Sequence, residues 1–498
     1  MSTSDLIEYN PWWKNEDVIE KDPEIQNWEN SILKWNPRIR QTFQAEDFIY
    51  SLRGPRQVGK TTLVKLEIRD LLKVVPKWHV MYYSFELENS PRDVVNVIND
   101  YLTRAKFSKK YPRRFIYLDE ISNVKDWQKA IKKLKDQGKL KGCTVIATGS
   151  HSIDLRHATE LLPGRRGITS HETLDKILPP MKFGEYVPTI DKEIEKEIHS
   201  NFLLSSKHRF SIIRKLAEGE IDDSLLEIAA YQNELDKHLS NYLITGGIPT
   251  SIDAFLKNGS IEEGVYQIYL DAMTGDLRKA GRDVSYMTQL MPNIIDSLGT
   301  PTSWMSLKEN SDMGSHHTVE DYVKILAEMF VLSVFYRFNA AENKPKFDGL
   351  KKIYLHDPFF LHAINGLISQ KDPYDLSLKY LDNPKFQSQL IEQIVSDHCI
   401  RLAFNLTPKK AMFDYHSSVF YWKSSKTKRE VDFIVRDNES LLPIEVKYQN
   451  EIKKDDYYSL IDFKKTTGID KAIMLTKNDL REESEATLIP VSLFLLLV

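Results

Sequence analysis

The sequence predicts an α/β fold: a parallel sheet sandwiched by helices toward the N-terminus, a helical middle, and a second α/β domain toward the C-terminus. Three observations carry that expectation. Apolar runs at 48–53, 79–86, 114–120 and 143–150 alternate with helical stretches at 61–74, 91–106 and 124–137, the pattern of strands joined by helical crossovers. From about 190 to 290 the apolar positions recur at helical spacing behind charged faces, with a break at Gly246-Gly247-Ile248-Pro249. The segment SSVFYWKSSKTKREVDFIVRDNESLLPIEVKYQ reads as a β-meander, with a strand to Trp422, a basic turn, a strand at 430–436, an Asp-Asn turn and a strand at 442–448.

A chain of 498 residues exceeds one hydrophobic core, so roughly two to four domains are expected. With 41% hydrophobic and 28% charged residues the composition excludes a fibrous or disordered chain. The net charge of −3 excludes a polycation, so any nucleic-acid contact must come from local basic patches. Cys143 and Cys399 give neither a disulfide framework nor a zinc cluster, which points to a reducing, cytoplasmic setting. The N-terminus lacks the basic flank and apolar core of a secretory signal. The run IPVSLFLLLV is about half of the ~20 residues a membrane helix needs and is expected as a buried terminal strand, with no membrane association.

The first strand runs into Gly54-Pro55-Arg56-Gln57-Val58-Gly59-Lys60-Thr61-Thr62, which fits G-x-x-x-x-G-K-[ST] in the required strand-loop-helix context. Glycines let backbone N–H groups close around phosphates, the lysine reaches the β- and γ-phosphates of ATP, and Thr61 ligates Mg²⁺. The helix N-terminus adds its positive dipole end. The strand RRFIYLDE ends in Asp119 and Glu120, where ligands bind in parallel sheets. Asp119 is expected to hold Mg²⁺ through water, and Glu120 to polarise the attacking water. A further strand ends in Thr148-Gly149-Ser150, with the Ser150 hydroxyl placed to sense the γ-phosphate. In LLPGRRG, Arg165 and Arg166 sit in a Pro/Gly-bounded loop suited to inserting a guanidinium into a neighbour's site, where transition-state charge needs it.

At YNPWWKNEDVIEKDPEIQ, LRGPRQVGKTTL, YLDEISNVKDWQKAIKKLKDQGKL, ATGSHSIDL and ELLPGRRG the sequence resembles a prokaryotic, largely archaeal family of AAA+-like ATPases. That resemblance implies an AAA+/ASCE sheet and an oligomeric assembly, ring-like and hexameric or activated by a partner. It also implies the roles above for Lys60, Thr61, Asp119, Glu120, Ser150 and the Arg165/Arg166 pair, and a lid region around YLITGGIPT. Trp12 and Trp13 read as packing residues.

The expected organisation is an N-terminal arm (1–47), an ATPase core (48–190), a helical lid (191–290), a winged-helix segment (291–355) and a nuclease-like domain (356–498). Thr318-x-x-Asp321 reads as a capping box opening a helix with the apolar stripe Tyr322, Ile325, Leu326 and Met329. Its other face carries Glu320, Asp321 and Glu328 against Lys324, which favours a protein contact over the major groove.

In the meander, Glu445 and Lys447 share a strand face and the hairpin brings Asp432 alongside. Two carboxylates and a lysine on one face predict a divalent-metal site, with Asp432 and Glu445 as ligands and Lys447 stabilising charge at a scissile phosphate. This arrangement resembles the PD-(D/E)XK nuclease fold, and by that resemblance Glu392 is a further acid from the first core helix. Lys423, Lys426, Lys428 and Arg429 lie where they could grip a DNA backbone, with Tyr421, Trp422 and Tyr448 as stacking surfaces. The whole reads as an ATP-dependent DNA-processing motor that binds, moves or cleaves DNA, branched DNA included; the alternative is a nucleotide-controlled switch or protein-remodelling ATPase whose nuclease-like domain only binds.

Overall fold

In the computed structural model the described residues are 3–108, 110–149, 160–162, 164–167, 169, 173–201, 203–408, 410, 413–438, 440–470 and 472–498. They form two compact units, Met1–Pro179 and Pro180–Val498.

In the N-terminal unit, helices α1 (Thr3–Tyr9) and α2 (Pro23–Asn30) belong to the arm. The core follows as β1 (Ile49–Arg53), α3 (Lys60–Leu71), β2 (Val80–Ser84), α4 (Pro91–Arg104), β3 (Arg114–Asp119), α5 (Trp127–Asp136), β4 (Cys143–Thr148) and β5 (Asp175–Ile177). The strands pair in parallel in the order β2-β3-β4-β1-β5. Every residue of β1 and β4 is buried, as continuous apolar strands covered on both faces require. Helix α4 shows how local sequence sets an element. Pro91 opens it, Ser90 and Asp93 form a capping box worth about 1 kcal/mol, and Val94, Val97, Ile98 and Tyr101 make its buried stripe.

Strand β2 is an edge, and unpaired edges recruit other chains. The arm covers it. Asn10 donates from Nδ2 to the Tyr82 carbonyl at 2.9 Å and accepts from the Tyr82 N–H at 2.7 Å, so its amide replaces a neighbouring strand's peptide. Trp12 and Trp13 both donate from Nε1 to the Val80 carbonyl, at 3.2 and 2.9 Å, and are buried packing residues.

The C-terminal unit begins with helices that include α6 (Gln232–Thr245) and α7 (Pro249–Asn258). Next come α8 (Val284–Asp296), α9 (Trp304–Lys308), α10 (His316–Glu328), and the hairpin β6 (Leu332–Asn339) and β7 (Lys344–Leu355). The chain continues through α11 (Pro358–Ser369), α12 (Pro384–Leu406), β8 (Val419–Lys423), β9 (Glu430–Asp437), β10 (Ser440–Lys447), α13 (Tyr458–Thr467), β11 (Ile473–Thr476), β12 (Arg481–Glu482), β13 (Thr487–Pro490) and α14 (Val491–Leu497). One sheet of order β12-β13-β11-β10-β9-β8-β6-β7 joins the hairpin to the meander. The Gly246-Gly247 turn lies inside this unit. A Cβ on Gly247 would sit 2.1 Å from the Met181 carbonyl oxygen, and one on Gly246, at φ +58°, 1.7 Å from Asp357 Oδ1. The Asp357 carboxylate accepts from the Gly247 and Phe359 N–H groups at 2.8 and 2.9 Å.

Two local expectations are corrected. The apolar C-terminal run is a short strand that turns into the buried helix α14, because Pro490 ends the ladder and the seven residues after it are shielded on all sides. Helix α10 starts earlier than the Thr318-x-x-Asp321 box implies: Ser315 is its N-cap and accepts from the Thr318 N–H, so Thr318 is already helical. Its buried stripe is Val319, Tyr322, Val323 and Leu326. Among the described residues no helix is long and apolar enough to cross a membrane.

Candidate nucleotide site and C-terminal carboxylate cluster

The carboxyl ends of β1, β3 and β4 lie side by side, since Leu52 pairs with Thr148 and Leu118 with Ala147. The phosphate loop leaves β1 there. Gly54 is required by contact: a Cβ on it would lie 2.1 Å from the Leu178 carbonyl oxygen. Gly59 is required by conformation, at φ +88° as N-cap of α3, with open space where a side chain would be. Lys60 is buried and donates to the Gly54 and Pro55 carbonyls at 3.0 and 2.8 Å.

Asp119 is 2% exposed, and hydroxyls surround its carboxylate. Thr61 Oγ1 donates to Oδ2 at 3.1 Å, Tyr82 donates to Oδ2 at 2.9 Å, and Thr148 donates to Oδ1. The Glu120 N–H approaches Oδ1 at 3.2 Å. Glu120 itself is left-handed, at φ +50°, a conformation that costs a non-glycine residue roughly 1–2 kcal/mol. Sequence reasoning found Thr61, Asp119 and Glu120 but missed Tyr82 and Thr148. Tyr82 lies on β2, whose Ser84 is in register with Asp119, so its ring shares the face from which that carboxylate rises. Burial, followed by the Asp119 charge, raises the phenol far above its ordinary range, so it remains a donor. Lys65 sits 3.6 Å over the same ring and pairs with Asp22 of the arm at 2.9 Å, while Thr62 donates to Glu24 at 2.5 Å.

This donor set fits a magnesium nucleotide. Hard oxygens of Thr61 and Asp119 meet at 3.1 Å beside an ammonium and an open, left-handed glycine. Pro55, Arg56, Gln57 and Val58 complete the loop, with Gln57 left-handed at φ +61° and Val58 buried. Ser150 lies outside the described residues.

The arginine pair divides. Arg166 donates from Nε to the Ile49 carbonyl at 3.0 Å and from Nη2 to Ser51 Oγ at 3.0 Å and the Leu174 carbonyl at 2.7 Å. Burial lowers its pKa, and it stitches β1 to the segment entering β5. This corrects the expectation that Arg166 projects toward a neighbour. Arg165 forms a two-pronged contact with Asp136 of its own chain, at 2.8 and 3.2 Å.

The C-terminal constellation assembles, but around an unexpected group. Asp432 lies beside β10, where its Oδ2 accepts from the Val446 N–H at 3.0 Å, and Glu445 pairs with Lys447. Glu392, from α12, joins them. At the centre is Lys352 of β7, 1% exposed, whose Nζ lies 3.1 Å from Glu392, 3.0 Å from Asp432 and 3.3 Å from Glu430. Burial alone would lower the Lys352 pKa; Glu392, Tyr354, Asp432 and Glu430 hold it well above its ordinary value. Among the described residues no cluster of three or more ligating side chains is placed to hold a metal ion. Asp432 and Glu445, the expected metal ligands, thus stand in a cluster that already holds an ammonium. Burial and then the Asp432 charge push Glu445 up to about 8.

The basic turn is also less available than its sequence suggests. Lys423 pairs with Glu430 at 3.0 Å, and Arg429 pairs with Asp462 at 3.3 Å and covers the Tyr458 ring. Lys426 and Lys428 are exposed. Tyr421 and Trp422 are buried, at 0% and 4% exposure, so neither offers a base-stacking surface. Alternation on β8 predicts one face in and one out, but both faces are covered. Tyr448 is half-buried near Lys477.

Residues 46–187 match the AAA domain family. Residues 236–371 and 388–494 match two domains of unknown function, DUF8612 and DUF4143. Comparison with curated proteins returns no match. Among solved structures, the Walker-type ATPase PABY2304 of Pyrococcus abyssi is similar at 10% identity and a TM-score of 0.39, over 70% of this chain and 97% of that one. The Aeropyrum pernix ORC1 protein, solved in complex with DNA, is similar at 11% identity and a TM-score of 0.29, over 74% of this chain and 98% of its own. A variant of Thermotoga maritima RuvB follows at 15% identity and a TM-score of 0.25, over 64% and 89%. These likenesses are loose, and no role passes from them to this chain. The domain match and the geometry at Lys60, Thr61 and Asp119 agree: the N-terminal unit holds a P-loop ATPase domain of the AAA type.

Proposed function

We propose that the chain is an ATP-hydrolysing motor that binds and moves DNA, branched DNA included, and that it works as a cytoplasmic homo-oligomer, in ring form a hexamer. Lys60 holds the phosphates, Thr61 and Asp119 hold Mg²⁺, and Glu120 orients the attacking water. Bound magnesium supplies charge neutralisation on the phosphates. Tyr82 and Thr148 fix the Asp119 carboxylate so that it need not reorganise when nucleotide arrives.

The DNA reading is supported by the order of α8, α9 and α10 followed by the β6–β7 hairpin, which is the order a winged helix would have, with Thr302 bridged to Lys351. The hairpin tip exposes Lys346 and Phe347 beside the Lys344–Glu342 pair at 2.7 Å, and these two are the groups we assign to contact with a phosphate backbone. The nuclease-like meander then serves to hold nucleic acid. Arg165 is the residue of the pair that can be handed to a neighbouring subunit, by exchanging Asp136 for a phosphate.

A second reading, a nucleotide-controlled switch or protein-remodelling ATPase, is favoured by the outer face of α10, where Asp321 is exposed and Glu320 pairs with Lys324 at 2.8 Å. ATP turnover with and without linear, single-stranded and branched DNA decides between them, with Lys60→Ala as the hydrolysis-dead control. DNA stimulation of turnover supports the motor. Turnover indifferent to every DNA, with no DNA bound in a gel-shift assay, refutes it in favour of the switch.

A further inference from the structure

The C-terminal carboxylates do not lack a cation; they already hold one. An ammonium has three N–H donors. Lys352 faces three carboxylate oxygens, Glu392 Oε1, Asp432 Oδ1 and Glu430 Oε1, at 3.0–3.3 Å. The two of these with hydrogen-bond geometry, from Glu392 and Asp432, are reached from β7 across 40 and 80 residues of sequence. Tyr354, two residues along the same strand face, donates a further hydrogen bond to Glu392 Oε1. Two more ammoniums close the ring of charge: Lys423 on Glu430, and Lys447 on Glu445. Among the described residues Glu445 Oε2, buried in a side chain that is 2% exposed, meets no hydrogen-bond donor. A buried carboxylate oxygen without a donor is costly, so it marks a place where a proton belongs.

We propose that Lys352 is the resident cation of this cluster, standing where a divalent ion would have to sit, so that the cluster holds no divalent ion and cuts no phosphodiester, and that removing Lys352 opens it to a divalent ion. The proposal does not rest on the motor reading, because it concerns the cluster alone. Its physical basis is charge. The lysine is nearly inaccessible, and expelling it would leave an ammonium in low dielectric without partners, a cost that a weakly held ion cannot meet. Without the ammonium, the oxygens of Glu392, Glu430 and Asp432, now 3.0–3.3 Å from its nitrogen, can close in on Mn²⁺ or Mg²⁺ as an all-oxygen set.

The test is calorimetric titration of Mn²⁺, the metal alone, into the nucleotide-free full chain. Wild type and Asp432→Asn are compared first, which needs no change at Lys352. Equal Mn²⁺ uptake by the two supports the proposal; a site present in wild type and lost in Asp432→Asn overturns it, since the ion would then be displacing the lysine. Lys352→Met is expected to gain one site, at least ten-fold tighter than any Asp432-dependent binding in wild type, and to lose it again in Lys352→Met/Asp432→Asn. A folded Lys352→Met chain with normal ATP turnover and no added site overturns the second half. Should Lys352→Met prove unstable, its melting temperature is the readout: a rise with millimolar Mn²⁺ that wild type lacks supports the proposal, and no rise refutes it. Lys352→Arg, which keeps a cation there, is expected to stay metal-free.

Discussion

Replacing Tyr82 with phenylalanine tests the claim that the Asp119 carboxylate is held ready by hydroxyls. The change deletes one oxygen. The ring stays, with Lys65 3.6 Å above it, so packing and the cation–π contact are kept. What is lost is a 2.9 Å hydrogen bond to a carboxylate that is 2% exposed. Such a bond to a charged acceptor is worth about 1.5–3 kcal/mol. For a unit of this size 1 kcal/mol moves Tm by roughly 2–4 °C, so the loss should lower the transition of the N-terminal unit by about 3–12 °C. Differential scanning calorimetry reads it, with the transition assigned by its rise on adding a non-hydrolysable ATP analogue. The loss should not change between pH 6 and 9, because the buried phenol stays protonated throughout. Turnover should fall less than about ten-fold, since Thr61 and Thr148 still fix the carboxylate. An unmoved transition would mean that the bond contributes nothing net. Turnover as low as in Lys60→Ala would mean that Tyr82 takes part in the chemistry and is no mere positioning group.

The other expectations concern backbone, strut and buried acid. Glu120→Gln should keep ATP binding and lose about 10²–10⁴-fold in turnover, the usual range for a general base, measured by single-turnover phosphate release; normal turnover would assign the water to another residue. Glu120→Gly should lose the same activity yet match or exceed the wild-type Tm, because it relieves the left-handed backbone at φ +50°, whereas Glu120→Ala should not. Arg166→Ala should destabilise by about 1–3 kcal/mol by stranding the Ile49 carbonyl, while Arg165→Ala, at the surface, should leave Tm unchanged; the reverse order in thermal melts would restore Arg166 as the free arginine. Burial raises the Asp357 pKa from 3.8 to about 7, so the folded chain holds that proton more tightly than the unfolded one and the residue's contribution to stability falls as pH rises between those values. The stability of Asp357→Asn relative to wild type should therefore climb over that window, by up to about 4 kcal/mol at ~1.4 kcal/mol per pH unit; a flat or falling difference in denaturant melts at pH 5 and pH 8 refutes the assignment.

The N-terminal sheet was legible because two local codes overlap there. Apolar strands buried on both faces stand out from amphipathic helices, and the phosphate loop needs its residue types at adjacent positions, so Gly54, Gly59, Lys60 and Thr61 announce themselves without knowledge of the fold. Asp119 was legible for a related reason, as an acid ending a buried strand. Tyr82 was not: an aromatic residue in a strand reads as core, and only the register of β2 against β3 turns its hydroxyl toward Asp119. The fate of Arg166 was hidden likewise, because its acceptors are main-chain carbonyls, which every sequence offers equally. The terminal helix α14 failed for want of any periodicity, since a run that is apolar at every position fits a buried strand and a buried helix alike.

Lys352 marks the deeper limit. A lysine reads as solvated, because unpaired burial of an ammonium is prohibitive. Yet the strand Lys351-Lys352-Ile353-Tyr354-Leu355 carries a contradiction within itself, charge leading directly into a stretch that has to be buried. Such a contradiction can be resolved only by partners elsewhere, and most of them were in view: Glu392, Asp432 and Glu445 make more acids than Lys447 can balance, and Glu430 already has Lys423. Matching a surplus of buried acid with an unexplained strand lysine would have required treating β7 and the meander as one sheet. The expected boundary at 355/356 cut between them, whereas the hydrogen-bonded order β9-β8-β6-β7 joins them. Charge neutrality in a dry interior is thus a constraint on domain boundaries as well as on sites. A division that leaves one side with uncompensated carboxylates and the other with a buried lysine requires the two sides to be docked.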